Sequence, residues 1–189
     1  MKLLLTGATG MLGQALRATL SLAYEVIPLA HADLDVTDLG ATRTALGRAK
    51  PAVVIHAGAW TDVDGCERDP DRAWRVNALG SRNVAVACQE VGGACCYLST
   101  DYVFDGSKPD PYTEFDAPTP ISCYGGSKLA GERYVQSLTP RHWIVRSSWL
   151  FGPGGKNFVK TILTKARAGE DLRVVDDQVG SPTYTHDLA

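Results

Sequence analysis

Lys2-Leu-Leu-Leu-Thr6, followed at once by Gly7-Ala-Thr-Gly10-Met-Leu-Gly13, is the stretch whose reading decides the fold. A short apolar run that ends abruptly in glycine reads as a buried parallel strand. Gln14-Ala-Leu-Arg-Ala-Thr-Leu20 then continues with helical periodicity. Strand, glycine turn and helix, in that order, are what holding a pyrophosphate requires. Gly7 permits the tight turn, Gly10 lets backbone N–H groups approach the phosphate, and Gly13 lets the helix pack closely on the strand. The helix N-terminus adds partial positive charge.

The rest of the chain repeats the alternation. Tyr24-Glu-Val-Ile-Pro-Leu29 reads as a second strand, with Pro28 marking where it leaves regular pairing. A helix is expected from Asp38 to Lys50, capped by Thr37 or Asp38 and stopped by Pro51. Ala52-Val-Val-Ile-His56 is a third strand, Pro70 to Val91 a long helix ended by Gly92-Gly93, and Ala94-Cys-Cys-Tyr-Leu-Ser99 a fourth strand. Asp101 to Ser122 holds four of the ten prolines and reads as a long loop, which a compact domain rarely keeps without a function. A helix follows over Tyr124 to Leu138, then a strand over His142 to Ser147. A helix over Phe158 to Ala168 and a sixth strand, Leu172-Arg-Val-Val175, complete the pattern. Strands alternating with helices imply a doubly wound, Rossmann-like α/β fold: a parallel sheet with helices on both faces.

Composition narrows the classes of function. The chain has 189 residues and a net charge of −2 with no basic stripe, which argues against nucleic acid as a partner. No apolar run approaches the length of a membrane span or of a signal segment. Cys66, Cys88, Cys95, Cys96 and Cys123 lack metal or redox spacing, so reduced thiols in a cytoplasmic protein are expected. His31, His56, His142 and His186 are scattered, so no metal site is expected.

Two short segments carry reaction chemistry. Tyr124 and Lys128 stand four residues apart at the start of a helix and therefore project from nearly one face. A phenol alone titrates near pH ~10, and a neighbouring ammonium favours its ionised form. Thr100 lies just past the fourth strand, at the carboxyl edge where doubly wound sheets place ligands. Its hydroxyl is placed to hold a carbonyl while Tyr124 delivers a proton.

With these residues in view, the sequence resembles the extended short-chain dehydrogenase/reductases and, within them, the dTDP-4-dehydrorhamnose reductase family. The resemblance runs over essentially the whole chain. It rests on Leu5-Thr-Gly-Ala-Thr-Gly-Met-Leu-Gly13, Asp33-Leu-Asp-Val-Thr-Asp38, Val54-Ile-His-Ala-Gly-Ala59 and above all Leu98-Ser-Thr-Asp-Tyr-Val-Phe-Asp-Gly106. Pro120 to Lys128, Arg146-Ser-Ser-Trp149 and Asp177-Gln-Val-Gly-Ser-Pro-Thr183 extend it. What the resemblance implies is hydride transfer from NADPH or NADH to C4 of a dTDP-4-keto-6-deoxyhexose. Thr100, Tyr124 and Lys128 would be the catalytic set. Gly10, Met11 and Leu12 would meet the pyrophosphate, with Gly7, Thr9 and Gly13 in the same cofactor site; Lys128 would bond the nicotinamide ribose, and Tyr124 would also touch the cofactor. Asp35 and Val36 would lie by the adenine, and Ala57, Gly58 and Ala59 would follow the cofactor toward the nicotinamide. Thr100, Asp101 and Trp149 would touch the sugar nucleotide, Trp149 being equally readable as core. Asn77 is assigned to packing of its helix. The implied partners are small molecules, in a cytoplasmic enzyme that the family pattern allows to be a homodimer.

Two departures from the family pattern matter. Where the second strand commonly ends in an acidic residue, this chain reads Leu29-Ala30-His31, and His31 is placed to meet a 2′-phosphate. The family also continues beyond Ala189. Residues 1–150 are therefore expected to form the dinucleotide-binding domain, and 151–189 to begin a smaller, truncated substrate lobe. Such a chain is expected to bind cofactor but turn over poorly. The last residues, with Thr185 as a candidate cap, are not expected to hold a helix alone, because so short a helix cannot outweigh its nucleation cost. Two alternatives stand beside the reductase: another nucleotide-sugar oxidoreductase or epimerase of the extended family, and a non-catalytic cofactor-binding regulatory subunit. Intact Thr100, Tyr124 and Lys128 argue against the second.

Overall fold

The computed structural model describes residues 1–189. Five parallel strands form the main sheet in the order β2-β1-β3-β4-β5. They are β1 (Lys2–Thr6), β2 (Glu25–Leu29), β3 (Val53–His56), β4 (Ala94–Thr100) and β5 (His142–Ser147). Parallel neighbours cannot be joined by hairpins, so helices cross between them. These are α1 (Met11–Leu20), α2 (Leu39–Ala49), α3 (Val63–Arg68), α4 (Pro70–Ala73), α5 (Gly80–Glu90) and α6 (Cys123–Leu138).

The period of two along each strand divides the core. Leu4, Val54, Cys95 and Tyr97 face one side and pack on Leu46 of α2, Val84 and Cys88 of α5 and Val135 of α6. Leu3, Leu5 and Ile55 face the other side and pack on Leu12 and Leu16 of α1. Both faces of the sheet are covered, which is the doubly wound arrangement that the alternation predicts. Helix 70–91 is in fact compound: a π-helical turn, Trp74–Leu79, joins α4 to α5. No helix is long and apolar enough to cross a membrane.

Two expectations for the end of the chain fail. Leu172-Arg-Val-Val175 is not a strand; Leu172, Val174 and Val175 are exposed and no neighbouring strand is there to pair with them. A second small parallel sheet pairs β6 (Leu150–Phe151) with β7 (Thr183–Tyr184) instead. Between them lies α7 (Phe158–Arg167), which buries none of its residues. The four-residue helix α8 (Thr185–Leu188) does form, capped by Tyr184 rather than Thr185. It is not isolated: Leu188 and Ala189 pack against the cluster built from β1, β3 and α1, and that burial supplies what nucleation costs.

Candidate active site

The strand order reverses at β1, which lies between β2 and β3, so the crevice at the carboxyl ends of β1 and β3 is where this fold takes ligands. The two loops that leave these strands touch. Gly7 has φ +69°, and a Cβ on it would lie 2.7 Å from the Gly58 nitrogen and 2.8 Å from the Ala57 carbonyl. A Cβ on Gly13 would lie 2.1 Å from the Gly7 oxygen, so the first turn of α1 is pressed onto the glycine loop. Neither position admits a side chain.

α1 begins at Gly10 with no side-chain cap. By contrast Asp38, Asp62, Ser122 and Asn157 cap α2, α3, α6 and α7 through their side chains. An uncapped helix start leaves backbone N–H groups and the positive end of the dipole for an anion. Met11, Leu12 and Gly13 form that first turn, and Thr9 sits on the exposed rim, its carbonyl accepting from Gln14. Asn157 reaches over from the 152–157 loop to the Met11 sulfur at 3.5 Å. The residues present fit a dinucleotide's pyrophosphate.

At the end of β2, the Asp33 carboxylate accepts from the Ala30 N–H at 2.9 Å, and His31 is exposed. Asp35 accepts from Thr37 N–H at 2.9 Å, and this bond chiefly holds its carboxyl below the usual range. The Arg75 guanidinium adds a smaller lowering of the same carboxyl. Arg75, on the π turn forty positions along, is invisible to sequence spacing. The Val36 side chain is core, and its carbonyl accepts from the buried Asn83 side chain at 3.0 Å.

The three reaction residues meet at the end of β4. Tyr124 and Lys128 lie on one face of α6 and are both buried, as is Thr100. Thr100 Oγ1 donates to Asp101 at 3.0 Å and accepts from the Tyr102 N–H at 3.2 Å. Tyr124 packs with Cys66 and Ala73, edge-on to Tyr102. Lys128 Nζ donates to the Leu98 carbonyl at 2.7 Å and lies 4.1 Å from the centroid of the Tyr97 ring. Burial pushes the Tyr124 phenol up to about 12, a hydrogen bond with Thr100 partly opposing it. The same desolvation pulls Lys128 down to about 7, against the attraction of Glu132. The expected lowering of the phenol by the lysine is therefore absent, because both groups are buried and Lys128 is tied to β4. Burial also raises Asp101 above the ordinary carboxylate range. Glu132 is 1% exposed and accepts from Arg146 Nε at 2.9 Å and Nη2 at 2.7 Å.

Asn77, assigned to packing from the sequence, does more. Its Oδ1 accepts from the Trp60 N–H at 2.8 Å, and its Nδ2 donates to the Trp60 carbonyl at 3.0 Å and to Ser127 Oγ at 3.1 Å. It thereby ties the end of the Ala57-Gly58-Ala59 loop to the helix that carries Tyr124. The available signal was an amide in an otherwise apolar helix face. Trp149 is not core: it has φ +45°, is 45% exposed, and lays its indole against Gly180.

A comparison with known families matches residues 1–189 to the RmlD substrate binding domain. The chain belongs to that family. Among relatives of this RmlD-family chain, a dTDP-4-dehydrorhamnose reductase of Streptomyces griseus is 47% identical over 98% of the chain and 62% of its own length. A dTDP-4-keto-6-deoxy-D-glucose reductase of Streptomyces niveus is 41% identical over 98% of the chain and 65% of its own length. The crystal structure of dTDP-4-dehydrorhamnose reductase from Bacillus anthracis in complex with NADP superposes with a TM-score of 0.96 at 45% identity, covering 99% of the chain and 67% of that one. The RmlD-family chain thus spans about two thirds of the length of the relatives it matches.

Proposed function

We propose that this chain carries the cofactor-binding and proton-donating part of an NAD(P)H-dependent reductase. Its substrate is dTDP-4-dehydrorhamnose, whose 4-keto group becomes the hydroxyl of dTDP-L-rhamnose, a building block of surface polysaccharide. One observation carries this reading: Thr100, Tyr124 and Lys128 converge at the carboxyl end of β4, in the sheet whose switch point opens onto the uncapped start of α1. The relatives' names and the NADP in the superposable crystal structure support it.

When bound, the nicotinamide supplies hydride to the ketone carbon. The chain's own residues do the rest. The first turn of α1 and the glycine loop bind and orient the pyrophosphate. Tyr124 delivers a proton to the ketone oxygen, and a phenol held up at about 12 is in the acid form that reduction requires. Thr100 orients the same oxygen, and Lys128 bonds the ribose. Asp101 and Trp149 line the sugar side, with residues 151–189 starting the substrate lobe. The partners are then small molecules, and five unpaired thiols fit a reducing, cytoplasmic setting. A homodimer is part of this reading and is checked by sedimentation.

The Streptomyces niveus relative, named for a D-configured keto sugar, supports a second reading in which the substrate is dTDP-4-keto-6-deoxy-D-glucose. Supplying the protein with NADPH and each 4-keto sugar nucleotide in turn, and following NADPH absorbance, tests both. Oxidation with the L-form supports the first reading, oxidation with the D-form alone the second, and none with either overturns both.

A further inference from the structure

His56 ends β3 immediately before the Ala57-Gly58-Ala59 loop and is fully buried. Its ring is bonded at both nitrogens: Nδ1 lies 2.7 Å from Thr6 Oγ1 and Nε2 3.1 Å from Ser81 Oγ. Ser81 Oγ donates to the Asn77 carbonyl at 2.6 Å, and the Gly58 N–H donates to Thr6 Oγ1 at 3.3 Å.

One placement of protons satisfies every group. The single hydroxyl hydrogen of Ser81 is spent on Asn77, so Ser81 Oγ must accept from His56 Nε2–H. Nδ1 is then bare and accepts from the Thr6 hydroxyl, which in turn accepts from Gly58 N–H. Burial holds the imidazole neutral, far below its ordinary pKa at about 3, and the charge of Lys128 pushes the same way. The resulting chain runs from the backbone of the loop beside the glycine turn, through β1 and β3, to the π turn.

We propose that His56 is a positioning residue for the cofactor: through Thr6 it sets the Gly58 N–H and so fixes the loop that packs on the glycine turn. This inference rests on the reading that the crevice takes NAD(P)H. The two halves of the imidazole act separately. The Nδ1 side reaches the loop through Thr6; the Nε2 side reaches only Ser81 and the helix. Asparagine at this position retains an acceptor where Nδ1 lies, and glutamine retains a donor where Nε2 lies.

The test titrates NADPH into the wild type, His56→Asn, His56→Gln, Thr6→Ser and Thr6→Val, and measures the thermal stability of each. His56→Gln and Thr6→Val are expected to weaken NADPH by roughly tenfold, the scale of one net hydrogen bond. His56→Asn and Thr6→Ser should stay within about twofold of wild type, although the His56 variants lose comparable stability. Equal affinity in His56→Asn and His56→Gln, or losses that follow stability alone, would overturn the proposal. A readout without cofactor separates this from the reductase reading. Imidazole nitrogen shifts of the wild type should show an Nε2–H tautomer, and Gly58 amide exchange should accelerate in His56→Gln but not in His56→Asn. If the wild type binds no NADPH yet these signatures hold, the cofactor reading fails and the loop clamp stands. The opposite tautomer, or unchanged exchange, removes the clamp.

Discussion

Lys128 Nζ donates to the Leu98 carbonyl at 2.7 Å, so the lysine one turn beyond Tyr124 is anchored to the strand that carries Thr100. The helix that carries Tyr124 and the strand end that carries Thr100 are thereby held as one unit. Burial on this scale has a cost in protonation free energy, and that cost is measurable.

Lys128 titrates near 7 in the folded chain against an ordinary value of 10.5. Between these values the unfolded chain binds the extra proton, so this group's contribution to stability rises with pH through that window and is lost as pH falls through about 7. Buried Tyr97, Tyr124, Cys66 and Cys95, whose folded values are raised, act in the opposite sense. The expected outcome is therefore a difference: the stability of Lys128→Met relative to wild type is greatest near neutral pH and shrinks toward pH 10. Urea unfolding of both across the range checks it, and a difference that grows with pH would contradict the assignment.

The two glycines after Tyr124 are not equivalent. A Cβ on Gly125 would lie 2.1 Å from the Tyr102 carbonyl oxygen, whereas on Gly126 it would meet nothing closer than Trp74 at 3.9 Å. Gly125→Ala is expected to destabilise by at least ~1–3 kcal/mol, as forced overpacking does. Gly126→Ala should stabilise by up to ~1 kcal/mol, the helix-propensity gain over glycine. Denaturant midpoints of the two variants decide it, and equal shifts would show that α6 is not pressed against Tyr102.

NADPH is expected to bind at least as tightly as NADH. The Asp33 carboxylate is turned onto the Ala30 N–H, His31 is exposed beside it, and the Arg75 guanidinium contributes to holding the Asp35 carboxyl low. Arg75→Ala should weaken NADPH more than NADH by roughly two- to fivefold, the range of an exposed charge pair. Paired titrations measure it; NADH binding clearly tighter than NADPH in the wild type would overturn the expectation.

Local rules made much of this molecule legible from sequence. Leu3 to Gly13 announces its strand, turn and helix because period, glycine spacing and helix start all lie within a dozen residues. Thr100, Tyr124 and Lys128 could be named because a strand end and an i, i+4 spacing fix where they point. What depended on distant partners was not legible. Asn77, on the π turn, clamps Trp60 from seventeen positions along the chain. Leu172 to Val175 has the composition of a strand but no neighbour to pair with, while α8 exists because α1 offers Leu188 a surface. The polarity of Lys128 and Tyr124 also misled, since spacing shows proximity but not desolvation.

The central claim is that Tyr124 gives the proton while cofactor affinity rests mainly on the glycine loop and the first turn of α1. The most direct measurement compares wild type and Tyr124→Phe for NADPH affinity and for the rate of keto-sugar reduction under saturating cofactor. The account predicts affinity within about twofold and a rate lower by ~10²–10⁴-fold, the usual contribution of a positioned acid. A variant that binds NADPH as before and retains more than about a tenth of the wild-type rate, far above that usual contribution, would contradict it.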